Sequence, residues 1–400
     1  MEEVSPTSEK LTDKPSGLLA LLDELEKQGA DNAEITLRMQ HYLNAIARTR
    51  GLPLHGTFEL TPLCNLNCRM CYVHLTEKQL SQTGKRLLTV QQWKHIMEQA
   101  VAAGMISAAF TGGEALTYPG FDELYLFLQE RGVTVSIKSN GILMTRERVD
   151  FFKRNPTGGI QITLYGSDDD SYEETAGVRC FEAAISGMRR VKEAGLPLEV
   201  SITPTKPALK NMEALLALAD SLDVPVGISS GLFPAREETG RDTDPLQLSL
   251  DEYVQIYKMR ARMKNLKLTP VCEQDIPWPE GEDAPARGLP CGGGRSSFAV
   301  HWNGTMHPCL SLNSICADIL STPFAEAWRT VHASAASYPF PGKCIGCEYR
   351  SACTPCVLHH EAAAPPGQHN PALCARTKRM IAEGLTTFKP QTTPKMEEER

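Results

Sequence analysis

Three cysteines, Cys64, Cys68 and Cys71, stand within eight positions in the stretch "TPLCNLNCRMCYVHL", and His74 follows three residues later. Four soft donors in so short a loop point to a metal. A structural zinc site takes four tetrahedral ligands, often three cysteines and a histidine. An iron–sulfur cube held by three cysteines would instead leave one iron open, which suits a small molecule that must chelate it. Spacing alone leaves both readings standing. A second candidate is "FTGGEAL": Gly112 and Gly113 permit a close backbone approach to a ligand, and the Glu114 carboxylate can accept from an ammonium.

The chain has thirteen cysteines, an odd number. Three lie at 64–71 and eight between 291 and 374, with Cys180 and Cys272 outside both groups. The N-terminal "MEEVSPTSEKLTDK" is acidic and polar, unlike a secretory signal. A reducing, cytoplasmic setting is therefore expected, where disulfides would not account for so many thiols. Cys180 reads as a small core residue. With 400 residues, 42% apolar and 22% charged, the chain has an ordinary globular composition. No apolar run approaches 18 residues, so no membrane span is expected. A formal net charge of −7 disfavours nonspecific nucleic-acid binding.

The elements that must position these groups alternate in period. Residues 16–48 read as two helices, with "LLALLDELEKQ" the clearest apolar stripe. From residue 55 the pattern is strand and helix in turn: "GTFELT", "ISAAFTGGE", "VTVSIKSNG", "GIQITLYG", "PLEVSITP" and "VPVGISSG" are strands. The helices between them include "TVQQWKHIMEQAVAAG", which opens on Thr89 and Gln92 at capping-box spacing. Crossovers of this length predict a parallel sheet, either an open α/β barrel or a doubly wound sheet. Beyond 235, "PAREETGRDTDP" reads as a polar linker and "SLDEYVQIYKMRARMKN" as a helix capped by Ser249 and Glu252. "PWPEGEDAPARGLP" reads as a loop. Residues 291–376 look too poor in core to fold without metal.

The C-x3-C-x2-C loop after the first strand, with Gly-Gly-Glu after the second on six βα units, resembles the radical SAM superfamily over residues 55–235. The resemblance implies a partial (β/α)6 barrel and a [4Fe-4S] cluster on Cys64, Cys68 and Cys71. The amino acid end of S-adenosylmethionine (SAM) would then complete the cluster, Glu114 would hold its amino group, and His74 would be a bystander. Gly112, Gly113, Ser139 and Asn140 match positions that line the SAM site. Met70 stands where the family often has an aromatic residue. Implied chemistry is reductive cleavage of SAM and removal of a substrate hydrogen, with an external one-electron donor of flavodoxin or ferredoxin type.

The C-terminal cysteines resemble the SPASM domain, which holds two auxiliary [4Fe-4S] clusters. Carried over by position, Cys291, Cys309 and Cys356 would bind the first, and Cys344, Cys347, Cys353 and Cys374 the second. Two residues separate Cys353 from Cys356 where the family usually has three. A fourth ligand for the first cluster is not evident: Ser297 stands near where some relatives have cysteine, and Cys316, Cys272 or the substrate could serve. Zinc knuckles are the competing reading of these cysteines. SPASM relatives mostly modify peptides, and "LYGSDDDSYEETAG" looks like peptide-maturing members, so the expectation is crosslinking or side-chain oxidation of a peptide or protein. An anaerobic sulfatase maturase is a weaker match, because Leu310 replaces the aspartate those enzymes carry after the Cys309 position. The residues also admit a dehydrogenase for a sugar-like small molecule, or a zinc scaffold without catalysis. The expected organisation is an N-terminal helical segment (1–54), a radical SAM core (55–235), a bridging helix and loop (236–290), an auxiliary-cluster domain (291–385) and a tail (386–400).

Overall fold

The computed structural model describes residues 25–27, 29, 31–229, 231–263, 288–345, 347–353 and 356–386. Six parallel strands pair in chain order: β1 (His55–Glu59), β2 (Ser107–Thr111), β3 (Thr134–Ser139), β4 (Gly159–Thr163), β5 (Leu198–Ile202) and β6 (Val226–Ile228). A doubly wound sheet reverses its strand order at a switch point. No reversal occurs between β1 and β6, which separates the two architectures that periodicity leaves open in favour of barrel-like winding.

The helices follow the apolar patterning. After α1 (Asn32–Arg50) and the short α2 (Glu77–Gln82) comes α3 (Val90–Ala102), which buries Trp93, Ile96, Met97 and Ala100 on one face. Its capping box is made as the sequence predicts: the Thr89 side chain accepts from Gln92 N, and the Gln92 side chain accepts from Thr89 N. The next helices are α4 (Phe121–Gln129), α5 (Arg146–Arg154), α6 (Asp169–Ala176), α7 (Phe181–Glu193), α8 (Lys206–Lys210) and α9 (Met212–Ser221). Helix α6, capped by Asp168 with Ser171, is not foreseen from the sequence. Most of the "LLALLDELEKQ" stripe, the 277–287 part of the Pro-rich loop and Cys272 lie outside the described residues. Cys180 is half-buried and sits at the N-cap of α7.

Residues 291–340 differ from expectation, because they do carry a core. After α10 (Leu250–Arg262), with its Ser249–Glu252 capping box, strand β7 (Ser297–Val300) pairs in parallel with β1, in the register His55↔Ser297. Strands β8 (Thr305–His307) and β9 (Ala317–Asp318) continue the sheet antiparallel, making nine strands in all among the described residues. Phe58 of β1 packs edge-on against Trp93, Phe110 and Phe298, with ring centroids 6.0, 6.2 and 5.9 Å apart. Helix α11 (Phe324–Ala336) buries Phe324, Trp328 and Val331 on the same core, and Trp328 Nε1 donates to Gly51 O at 2.7 Å. The block borrows the barrel's apolar surface, a pairing that its own composition does not reveal. Two short helices follow: α12 (Val357–Glu361), then α13 (Pro371–Ala382), whose Arg379 lies 3.6 Å from Asp251 of α10.

Candidate functional site

In a parallel sheet every strand ends on the same edge, and ligands bind at that edge. The cysteine loop follows β1, Gly112-Gly113-Glu114 follows β2, Ser139 closes β3 with Asn140 after it, and Tyr165 lies just beyond β4. Topology alone therefore gathers the residues that the sequence singles out.

Both glycines are pressed against the backbone that leads into the cysteine loop. Gly113 N donates to Thr61 O at 2.6 Å and Glu114 N to Leu63 O at 3.0 Å, zipping the turn to the chain entering the cysteine loop. A Cβ on Gly113 would lie 2.3 Å from Leu63 O, and one on Gly112, at φ +155°, would lie 2.4 Å from Thr61 O. Gly113→Ala is therefore expected to push the cysteine loop away. Overpacking of this kind costs about 1–3 kcal/mol. Thermal unfolding should register the loss, and iron uptake by the loop should fall with it.

The Glu114 carboxylate is fully buried and ties the ends of β2 and β3 together. Its Oε2 accepts from Asn140 N at 2.8 Å and Ser139 Oγ at 3.1 Å, and Oε1 accepts from Leu116 N at 3.2 Å. Burial pushes its carboxyl up to about 7 against these three donors. A carboxylate has about four lone-pair sites, so one is left for a further donor. Asn140 Nδ2 donates to Asn65 Oδ1 at 2.7 Å and points its amide at Cys64 Sγ, 3.7 Å away.

The loop itself is pinned from several sides. Asn67 N and Arg69 N donate to Ala176 O and Thr175 O at the end of α6. Arg241 donates to Cys68 O, to Asn67 Oδ1 and to His74 Nδ1, the last at 2.7 Å. His74 thus spends a ring nitrogen on arginine, which weakens its claim as a fourth zinc ligand. Leu66 N donates to Cys64 Sγ at 3.4 Å and His74 N to Cys71 Sγ at 3.3 Å. The three thiols sit close enough to repel one another as thiolates, and burial pushes all three up, Cys64 to about 12. The Tyr165 hydroxyl hydrogen-bonds Cys68. Such thiols ionise when a cationic centre binds them.

The C-terminal cysteines divide by proximity into the same two sets that spacing suggests. Cys309 feels the charge of Cys291, and Cys356 feels both. Cys344 feels Cys374, Cys353 and Cys347, and these four line one cavity with Arg350 and His360. Cys316 is exposed. The first set counts three cysteines among the described residues. Its Cys309 and the loop's Cys71 both act on the Tyr72 hydroxyl, so the two sites are neighbours.

Sequence reasoning misses the pair that locks them together. Arg236 donates to Glu59 Oε1 at 2.7 Å and Oε2 at 2.8 Å, and also to Leu310 O at 3.1 Å, beside Cys309. Arg236 N donates to Tyr72 O at 3.1 Å. The supposed polar linker thus carries two arginines of the site, Arg236 and Arg241. Their only sequence signal is two basic residues in an acidic stretch.

The loop's three cysteine donors suit a four-iron cube with one iron left open. Zinc, with ~2.3 Å bonds to sulfur, draws its thiolates tightly together. Among the described residues no three His, Cys, Asp or Glu side chains are grouped to hold one metal ion. A four-iron cube is held by cysteine thiolates, and three of them leave one iron open.

Comparison with known proteins agrees. Residues 58–221 match the radical SAM superfamily. The chain is 25% identical over 328 residues to an AdoMet-dependent heme synthase from Methanosarcina barkeri, covering 76% of this chain and 91% of that protein. It is 31% identical over 154 residues to a PqqA peptide cyclase from Streptomyces rochei, covering 38% of this chain and 41% of that one. Among solved structures, Streptococcus suis SuiB bound to its precursor peptide SuiA superposes with a TM-score of 0.61 at 18% identity, over 88% of this chain and 86% of that one; the likeness is one of fold. Residues 58–221 thus carry a radical SAM domain, and the chain resembles the peptide-modifying members of that superfamily.

Proposed function

We propose that this enzyme modifies a ribosomally made peptide or protein, by crosslinking or side-chain oxidation. In this reading Cys64, Cys68 and Cys71 hold the [4Fe-4S] cluster, and Gly112, Gly113, Glu114, Ser139 and Asn140 shape the SAM site. Cys291, Cys309 and Cys356 hold one auxiliary cluster; Cys344, Cys347, Cys353 and Cys374 hold the other. The reduced cluster and SAM supply, when bound, the electron and the carbon-centred reactivity that remove a substrate hydrogen. The observation that carries the reading is the closeness of the loop to the first C-terminal set: Arg236 donates both to Tyr72 O, beside Cys71, and to Leu310 O, beside Cys309. A substrate held between them can lose a hydrogen to one side and an electron to the other. The reading keeps the domain limits expected from the sequence, although β7 of the C-terminal block extends the core sheet. The described cysteines are all free thiols, which suits a cytoplasmic enzyme reduced by a flavodoxin or ferredoxin. Among the described residues no helix is long and apolar enough to cross a membrane.

Co-expression with the short reading frames beside its gene, followed by mass spectrometry, tests the peptide reading. A peptide that loses hydrogens only in the presence of active enzyme supports it. Unchanged peptides throughout contradict it. A heme precursor is the second reading, favoured by the near full-length match to heme synthases. Heme formation from porphyrin precursors by the purified enzyme would select it.

The burial of Glu114 has a consequence for pH. Its carboxyl sits up at about 7, so below that pH the SAM-free protein holds it protonated. The charged carboxylate is the stronger acceptor for the N–H groups of the SAM amino group. SAM affinity should therefore rise as pH increases through about 7 and level off above it. Glu114→Gln should lose this dependence, and at pH 8 Glu114→Ala should bind SAM more weakly by roughly 1.5–3 kcal/mol, the worth of a charged hydrogen bond. Equilibrium dialysis with labelled SAM across the range reads both.

A further inference from the structure

Six buried side-chain atoms among the described residues lack a hydrogen-bond partner, and two of them are Nδ1 and Nε2 of His359. The backbone of His359 is held: its N–H donates to Cys356 O at 3.0 Å, and its carbonyl accepts from Asn370 Nδ2 at 2.8 Å. Only the ring is unpaired. It lies flat on Phe233, with centroids 5.3 Å apart and planes 4° from parallel. Phe233 follows β6, and Nε2 lies 3.7 Å from where a Cβ on Gly231 would be. His359 therefore stands over the strand edge that also carries the cysteine loop. Helix α12 begins beside Cys356, next to Cys291 and Cys309, so it links the first C-terminal set to the end of β6. An imidazole with both nitrogens buried and unpaired is costly to keep. A fixed backbone and a stacked ring keep it aimed.

We propose that His359 is a substrate-contact residue, whose ring nitrogens pair with backbone amides of an extended peptide lying across the strand ends. A neutral imidazole offers one donor and one acceptor, and a peptide backbone supplies the complement of each. The inference rests on the peptide reading above.

The test uses anaerobically reconstituted full-length protein with SAM, and an mRNA-displayed library of random peptides as the probe. Peptides enriched on the wild type should bind His359→Phe, which keeps the stacked ring without its nitrogens, roughly tenfold or more weakly, about one hydrogen bond's worth. His359→Gln, which restores a donor and an acceptor, should recover part of the loss. Without peptide, His359→Phe should melt at or above the wild-type temperature, because the nitrogens removed had no partner. Equal binding by His359→Phe, or a clear fall in its melting temperature, overturns the role of His359 while leaving the peptide reading intact. If the wild type enriches no peptide, the peptide reading fails and this inference with it. A hemin absorption shift seen with wild type and lost in His359→Phe would reassign the ring to a porphyrin and likewise overturn the proposal.

Discussion

Replacing Cys64, Cys68 and Cys71 together by alanine is expected to reduce 5′-deoxyadenosine formation to background. Cys68 is buried and Cys64 and Cys71 are partly buried, each beside the other two. The loop is anchored independently of its sulfurs, through Arg241, the end of α6 and the zipped glycine turn. The variant should therefore keep its fold and its C-terminal iron. On the three-cube ligand set, iron should fall from roughly twelve to about eight per chain. A variant that still forms 5′-deoxyadenosine under a strong reductant would remove the loop from the chemistry.

The second large effect separates SAM cleavage from product formation. Cys344, Cys347 and Cys353 line the cavity that Cys374 completes, and none of the residues lining it belongs to the loop or contacts Glu114. Replacing these three by alanine should also lower iron to about eight per chain, one cube's loss. SAM cleavage without substrate should persist, while conversion of substrate should stop. The closure of Cys356 over Cys291 and Cys309 sharpens this expectation. A short stretch of chain, 353–356, links the two sets, so losing one cube should disturb the other's geometry without emptying it. Electron paramagnetic resonance of the reduced protein would resolve which signals remain. Loss of SAM cleavage in a folded variant would contradict the division of labour.

Much of this site is legible in sequence because its signals are local. The C-x3-C-x2-C spacing, the Gly-Gly-Glu turn and the capping boxes at Thr89 and Ser249 each lie within a few residues. Six strands in alternation give the parallel sheet for the same reason. What escapes depends on partners far along the chain. Arg236 and Glu59 are 177 positions apart, and neither has a local pattern that names the other. Strand β7 is four residues long and pairs His55 with Ser297, so its burial cannot be inferred from residues 291–376 alone. For the glycines, the residue type reveals a close approach at the right turn, but the partner, the Leu63 carbonyl, is set by tertiary structure. His74 looks like a ligand in sequence until Arg241 takes its nitrogen.

The most direct test of the central claim is metal and acid-labile sulfide content of the anaerobically reconstituted wild type, measured on the same sample. Three cubes imply roughly twelve iron and about twelve sulfide per chain, with no stoichiometric zinc. About four of each would leave the loop its cluster and deny the C-terminal sets theirs. Zinc in place of iron, with no labile sulfide, would contradict the account altogether.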